Sequence, residues 1–182
     1  MRNRPLRVVV TGTECTGKTT LTEELATHHG APWSAEFARE YLDRKAAPLT
    51  EADVEPIARG QMAGEDAAIA CARQLALHDT DLLSTSIYAR HYYGACPTWI
   101  EEAARHRRAD LYLLLRPDVP WVADGLQRDR PLEREELHDV FRRVLRESGS
   151  RVVEIGGGWE ARRAAAQTAV DAALAERLSR DR

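Results

Sequence analysis

The sequence has few cysteines and no long run of apolar residues. Cys15, Cys71 and Cys96 are widely separated and include no Cys-x-x-Cys pair, which predicts reduced thiols rather than a disulfide framework or a zinc site. No stretch approaches about eighteen consecutive apolar residues, and Met1–Pro5 lead into a predicted strand rather than the apolar region of a signal peptide. We therefore expect a soluble protein of the cytoplasm that contacts no membrane.

The chain also lacks a basic surplus, low-complexity tracts and internal repeats. It carries 26 Lys and Arg against 29 Asp and Glu, a net charge of −3, so general nucleic-acid binding has no electrostatic support. Its 182 residues, 43% of them hydrophobic, suffice for one buried core but not for two ordinary domains. We expect a single domain over residues 1–182 that binds no nucleic acid, with its oligomeric state left open.

What the sequence does contain is a phosphate-binding pattern near its N-terminus. Val8–Thr11 form an uninterrupted β-branched run, which predicts a strand buried on both faces. Gly12 follows this strand, and Gly17, Lys18 and Thr19 come after four further residues, where a helical segment begins. This spacing, in this context, is the phosphate-binding loop (P-loop) pattern.

The P-loop pattern predicts a bound nucleoside triphosphate with Mg²⁺. Two glycines allow consecutive backbone N–H groups to point at an anion, and the following helix adds its positive N-terminal end. Lys18 is placed to reach the β- and γ-phosphates, Thr19 to coordinate Mg²⁺ and Thr20 to donate to the α-phosphate. The residues predicted to hold the triphosphate are Gly12, Thr13, Glu14, Cys15, Thr16, Gly17, Lys18, Thr19 and Thr20.

The rest of the chain alternates short apolar segments with helical patterns. Strands are predicted at 6–11, 31–35, 74–81, 110–115 and 151–155, and helices at 18–28, 36–42, 54–73, 82–93, 97–108, 137–145 and 159–180. Thr50 and Asp53 form a capping-box pattern, and Leu178 is expected on the buried side of the last helix. The alternation predicts an α/β fold with a mostly parallel five-stranded sheet and helices on both faces.

A proline- and charge-rich segment interrupts this alternation at residues 117–135, and we predict that it forms a lid. Elsewhere, Gly12, Glu36 and Asp79 each come directly after a predicted strand or near its end. Because ligands in parallel sheets bind at the carboxyl ends of the strands, we expect these residues and the lid base at one edge of the sheet.

Four ordered blocks of the sequence resemble one family. The blocks are GTECTGKTTL at 12–21, EFAREY at 36–41, DTD at 79–81 and PDVPWVADG at 117–125. Together they are similar to the ribosylnicotinamide kinase domain of the bifunctional NadR proteins, over nearly the whole chain. The chain has no His-x-Gly-His motif, no room for the adenylyltransferase domain of that family and no helix-turn-helix segment, so a stand-alone kinase is expected.

The resemblance implies a P-loop kinase-like three-layer sandwich with a lid. It also implies transfer of the γ-phosphate of ATP to the 5′-hydroxyl of nicotinamide riboside, which gives nicotinamide mononucleotide, with ATP and Mg²⁺ as cofactors. Two alternatives remain open on the sequence. One is a kinase for another nucleoside, such as a deoxynucleoside, and the other is a non-catalytic switch whose lid closes on ATP.

Phosphoryl transfer depends on positioning and on neutralising charge, which indicates roles for several charged residues. Lys18 and Asp79 are predicted to be catalytic, with Asp79 holding Mg²⁺ beside Thr19, although an acid at Asp79 could instead cap the next helix. Glu36 is the candidate to orient or deprotonate the acceptor hydroxyl, because related nucleoside kinases carry a carboxylate after the second strand. Asp81 competes for that role, with helix capping an equal alternative.

The predicted lid and the aromatic residues supply further candidates. Arg128 and Arg130 lead among the lid arginines as catalytic groups that stabilise the developing charge, while solvated arginines are the alternative. Recognition of a flat pyridinium cation requires aromatic faces, for which Tyr92 and Trp121 are weak candidates. Three more residues either border the adenine or belong to a packed helix start: Trp159, Arg162 and Arg163. Arg39 either pairs with Glu36 or reaches the substrate.

Overall fold

The computed structural model describes residues 4–120 and 133–180. Its strands are β1 (Leu6–Gly12), β2 (Trp33–Ser34), β3 (Leu75–Asp79), β4 (Leu111–Leu115) and β5 (Val152–Ile155). Its α-helices are α1 (Lys18–His29), α2 (Phe37–Lys45), α3 (Val54–Cys71), α4 (Leu82–Tyr93), α5 (Thr98–His106), α6 (Arg134–Glu147) and α7 (Trp159–Arg180). A 3₁₀ turn at Glu51–Asp53 precedes α3.

The five strands form one sheet in the order β2-β3-β1-β4-β5, and every neighbouring pair is parallel. The predicted five-stranded α/β sheet is therefore confirmed, and it is wholly rather than mostly parallel. β1 lies at its centre because its residues are buried on both faces. The register pairs Val10 with Asp79 and Gly12 with Leu115, so the loop after β1 begins beside the carboxyl ends of both neighbouring strands.

Helices cover both faces of the sheet and give three layers. One apolar core joins the sheet to α1 and α7, with Val8, Leu25 and Val170 among its fully buried members. The other joins the opposite face to α3, α4, α5 and α6, and includes Val9 and Phe141. Alternate residues of β1 thus point into different cores, as the period of a strand requires.

Three sequence predictions about the elements were wrong in detail. β2 is two residues long rather than spanning 31–35, because only Trp33 and Ser34 pair with β3. β3 ends at Asp79, so residues 80 and 81 belong to the turn before α4. Leu178 is 46% exposed, since α7 continues past the core that buries Val170.

The capping box before α3 forms as predicted, at the 3₁₀ turn. The Thr50 N–H donates to a carboxylate oxygen of Asp53 at 2.7 Å, and the Asp53 N–H donates to the Thr50 side chain in return. Among the described residues, no helix is both long enough and apolar enough to cross a membrane. Of the predicted lid, residues 121–132 lie outside the described residues, and so do Trp121, Arg128 and Arg130.

Candidate active site

The P-loop leaves β1 through glycine conformations that other residues rarely adopt. Gly12 has φ of 130°, and a Cβ there would lie 2.8 Å from the Leu115 carbonyl oxygen of the neighbouring strand. Gly17, at the N-cap of α1, has φ of 85°, and a Cβ there would lie 2.8 Å from the ring of Trp159. Cys15 also has a positive φ, of 57°. The loop therefore curls tightly at the N-terminus of α1, where the helix dipole favours an anion.

Hydrogen bonds within the loop and from α4 hold this curl. Thr16 and Lys18 both donate to the Thr13 carbonyl, at 2.8 and 3.0 Å. Tyr88 of α4 donates its hydroxyl to the Gly12 carbonyl at 3.1 Å, and burial raises the pKa of Tyr88 well above its ordinary value, so the phenol keeps its proton. The Lys18 ammonium thus lies inside the cradle. Among the described residues its hydrogen-bond acceptor is the Thr13 carbonyl, which a triphosphate can replace.

Thr19 and Asp79 meet at the entrance of α1. The Thr19 hydroxyl donates to Asp79 Oδ2 at 2.5 Å, while the buried Asp79 Oδ1 has no hydrogen-bond partner. Mg²⁺ in nucleotide sites takes one or two protein oxygens and completes its octahedron with water and phosphate. A hydroxyl beside an unsatisfied buried carboxylate oxygen fits that donor set, so these two residues could hold Mg²⁺; that role stays a prediction.

Burial, with the negative charge of Glu36, raises the pKa of Asp79 to about 6, against the opposing effect of Lys18 and of the Thr19 hydrogen bond. The folded protein therefore binds the Asp79 proton more tightly than the unfolded chain does. The stability that this proton contributes is present below the unfolded pKa and is lost as the pH rises through about 6.

We expect Asp79→Asn to remove this pH dependence. Without nucleotide or Mg²⁺, the free energy of unfolding of the unsubstituted protein should fall by about 2 kcal/mol relative to that of the variant as the pH rises from 3.8 to about 6. Urea unfolding of both proteins across this range measures the difference, in which the titrating groups that do not interact with Asp79 cancel. Curves that stay parallel would contradict the burial of Asp79.

A cavity of about 590 Å³ extends from the P-loop along the carboxyl edge of the sheet. Lys18, Thr19 and Glu36 line it together, as the sequence predicted for this edge. Glu36 occupies the N-cap position of α2 but makes no side-chain capping bond, so its carboxylate is not used to start that helix. Arg39, one turn later, lines the same cavity. These placements bring the predicted base and the P-loop to one space.

The far wall of the cavity is aromatic and acidic. Tyr88 and Tyr92 stack with ring centroids 6.0 Å apart at 7°, and Tyr92 donates its hydroxyl to Glu14 Oε1 of the P-loop at 3.3 Å. Tyr93 completes this wall, and apolar residues of α2 and α3 face it, among them Leu42. Aromatic faces beside carboxylates suit a flat cationic group.

Asp81 does not fit the alternative role of catalytic base. It is 3% exposed, caps α4 by accepting the Ser84 N–H at 3.0 Å, and accepts the Tyr112 hydroxyl at 2.7 Å. Burial raises the pKa of Asp81. Helix capping, the equal alternative in the sequence, is therefore the role that the contacts of Asp81 support.

The start of α7 is packed rather than open. Trp159 covers Gly17 and donates its indole N–H to Glu24 at 3.2 Å. Arg162 is fully buried, and Arg163 pairs with the same Glu24 at 2.8 Å. Of the two sequence alternatives for these residues, a packed helix start is thus the one observed.

Two buried polar residues organise the site; sequence reasoning named Arg162 without its partners and missed Gln61. Arg162 donates to the carbonyls of Gly157, Thr16 and Arg116 at 2.8, 3.2 and 2.9 Å, and also to Asp118. Gln61 is 2% exposed and bridges two turns at the edge of the cavity. A signal existed for Gln61, since its position falls on the buried stripe of α3, where a polar side chain needs a partner.

The P-loop cradle, the parallel three-layer fold and the shared cavity together define a nucleotide-binding protein of the P-loop kinase-like class. The chain belongs to the AAA domain family, whose sequence profile matches residues 7–162.

Comparisons with known proteins confirm the resemblance to NadR. The chain is 29% identical over 153 residues, 81% of its length, to the trifunctional NAD biosynthesis/regulator protein NadR of Escherichia coli (strain K12). It spans 37% of that relative's length. The structure of NadR in complex with NR matches 96% of this chain and 53% of its own, with a TM-score of 0.79 and 29% identity.

Two further structures bear on the fold. NadR in complex with NAD and AMP-PNP matches 96% of this chain and 51% of its own, with a TM-score of 0.78 and 28% identity. Thymidylate kinase from Ehrlichia chaffeensis matches 86% of this chain and 90% of its own with a TM-score of 0.62, and at 13% identity this likeness concerns the fold alone. The P-loop kinase-like architecture implied by the sequence is confirmed.

Proposed function

We propose that this chain is an ATP-dependent kinase that phosphorylates the 5′-hydroxyl of nicotinamide riboside and forms nicotinamide mononucleotide. The observation that carries the proposal is the cavity in which Lys18 and Thr19 of the P-loop share walls with Glu36 and the tyrosines of α4. This cavity lies in a chain that matches, over 96% of its length, the structure of NadR in complex with NR. The match to NadR bound to AMP-PNP supports ATP as the phosphoryl donor.

The proposed reaction divides the work among residues along this cavity. The P-loop amides and Lys18 hold the triphosphate and neutralise charge on the transferring group. Glu36 accepts the proton of the acceptor hydroxyl, whose oxygen forms a bond to the γ-phosphorus as the bond to the leaving ADP oxygen breaks. Thr19 and Asp79 would hold Mg²⁺, which when bound would supply positive charge against the phosphates.

The lid arginines and the aromatic wall complete the proposal. Arg128 and Arg130 remain the sequence-based candidates for stabilising the transferred phosphoryl group. The stacked pair Tyr88 and Tyr92, with Glu14 beside it, offers a flat face and a negative charge to the pyridinium ring of the acceptor. This pairing of an aromatic face with a carboxylate is the chemical reason to favour an acceptor with a cationic pyridinium ring over a nucleoside with a neutral nucleobase.

A survey of acceptors with coupled ADP detection tests the proposal. We expect ADP formation that requires both nicotinamide riboside and Mg²⁺, with nicotinamide mononucleotide identified as the product by chromatography. Thymidine and deoxycytidine, which lack the cationic ring, serve as matched controls and should give far slower turnover. Turnover with these deoxynucleosides but not with nicotinamide riboside would overturn the assignment in favour of a deoxynucleoside kinase. ATP binding with no phosphorylated acceptor would instead favour a switch protein.

A further inference from the structure

Gln61 connects the two turns that carry the predicted catalytic carboxylates. It lies on α3, is 2% exposed and borders the cavity. Its Oε1 accepts the Phe37 N–H at 3.0 Å, directly after Glu36. Its Nε2 donates to the Thr80 carbonyl at 3.1 Å, directly after Asp79. The oxygen and the nitrogen of one buried side-chain amide therefore each bond a backbone group, and the two backbone groups belong to different turns.

Both turns depend on such outside support. Thr80 has φ of 62°, a left-handed conformation that costs free energy in a residue with a branched side chain and persists only where neighbours hold it. The Thr80 N–H donates to the Val10 carbonyl at 3.0 Å, so the bond from Gln61 fixes the other side of the same residue. Glu36 makes no capping bond to α2, which leaves the Phe37 N–H to be satisfied by Gln61.

The packing around Gln61 serves the same junction. A Cβ on Gly60 would lie 2.1 Å from the Phe37 ring, so only glycine lets α3 approach the start of α2 this closely. β2 joins the sheet through only Trp33 and Ser34, so strand pairing alone leaves the residues after it weakly fixed. The Gln61 bridge is thus a direct polar link between the Glu36 turn and the Asp79 turn.

We propose that Gln61 is a positioning residue that fixes the location of Glu36 relative to Asp79, and hence of the acceptor hydroxyl relative to the phosphate. This inference rests on the proposed kinase function. Misplacement of reacting groups by about 1 Å can lower a rate by about 10²-fold. Because Gln61 acts through backbone groups, its loss should lower kcat while the KM for ATP, which the P-loop sets, is unchanged.

The test replaces Gln61 with methionine, which has nearly the same shape but can make neither bond. Gln61→Glu is the second variant, because it keeps an acceptor for the Phe37 N–H and loses the donor to Thr80. Ser86→Ala is the matched control, since Ser86 is buried and donates to Leu83 at 2.8 Å within α4 but does not line the cavity. The assay uses the acceptor that the unsubstituted protein phosphorylates fastest, or basal ATP hydrolysis if it phosphorylates none.

Three measurements are made on each protein: steady-state kinetics, thermal unfolding and amide hydrogen exchange at Phe37. We expect kcat to fall about 10²-fold in Gln61→Met, with unchanged KM for ATP. Exchange at the Phe37 N–H should accelerate in Gln61→Met and stay slow in Gln61→Glu, although kcat falls in both. Ser86→Ala should lower the unfolding temperature without lowering kcat.

Several results would overturn the positioning role. An unchanged kcat in Gln61→Met, with faster exchange at Phe37, would show that the bridge does not set the reacting geometry. A rise in the acceptor KM alone would show that Gln61 contacts the acceptor instead. An equal loss of kcat in Ser86→Ala would attribute the effect to general destabilisation. Absence of turnover with nicotinamide riboside in the unsubstituted protein overturns the proposed substrate, and is thereby distinguished from failure of the Gln61 inference.

Discussion

Lys18→Ala is expected to lower kcat by about 10²- to 10³-fold, because it removes the positive charge that the P-loop directs at the transferring phosphate. In the structure this ammonium donates to the Thr13 carbonyl at 3.0 Å inside the loop and belongs to neither apolar core. The side chain therefore serves the ligand rather than the fold, and the variant should remain folded. Steady-state kinetics with ATP and acceptor, alongside thermal unfolding, measure both effects.

Lys18→Met is the control for packing, since it retains the apolar stem of the side chain in its 7% exposed position and removes only the charge. It should lose as much turnover as the alanine variant. Unfolding of both variants would show that Lys18 has a structural role that the observed contacts do not indicate. Retained turnover in both would remove the P-loop lysine from the mechanism.

Arg162→Met is expected to reduce the free energy of unfolding by about 3–5 kcal/mol, which corresponds to roughly 6–20 °C in the unfolding temperature. The guanidinium is fully buried and supplies hydrogen bonds to Thr16 of the P-loop, Arg116 after β4 and Gly157 after β5. Its loss leaves three carbonyl groups and the partner carboxylate Asp118 without this donor. Urea and thermal unfolding test the expectation directly.

Arg163→Met is the matched control, because the neighbouring arginine loses the same charge from the same helix. The Arg163 side chain is 42% exposed and pairs with Glu24, and such pairs contribute at most about 1 kcal/mol. Equal losses of stability in the two variants would contradict the account of Arg162. If Arg162→Met loses much more stability than Arg163→Met, we also expect it to bind ATP more weakly. The reason is that Arg162 contacts Thr16, which lies in the loop that holds the triphosphate.

The predictions from sequence that hold are those whose causes are local or periodic. The P-loop conformation depends on Gly12 and Gly17, whose positive φ values make the residue type itself informative. The parallel sheet follows from the alternation of strands with helices. The gathering of Glu36, Lys18 and Asp79 at one edge follows from the parallel direction of the strands, which turns their carboxyl ends the same way.

Other features depend on partners far along the chain. The length of β2 is set by how many residues pair with β3, and only Trp33 and Ser34 do. Leu178 keeps the spacing of a buried helical face, yet it is 46% exposed because α7 continues past its residues that join the core. The role of Asp81 as a cap with a second bond from Tyr112 required a residue from another strand.

By itself, the sequence determined the P-loop, the order of the elements and the family that the chain resembles, because glycine spacing and apolar periodicity act over a few residues. Only the tertiary structure decided that Gln61 bridges the turns after Glu36 and Asp79, and that Arg162 joins the P-loop to the ends of β4 and β5. A buried polar side chain must find partners, but sequence spacing does not say which distant carbonyl or amide groups the folded chain brings within reach.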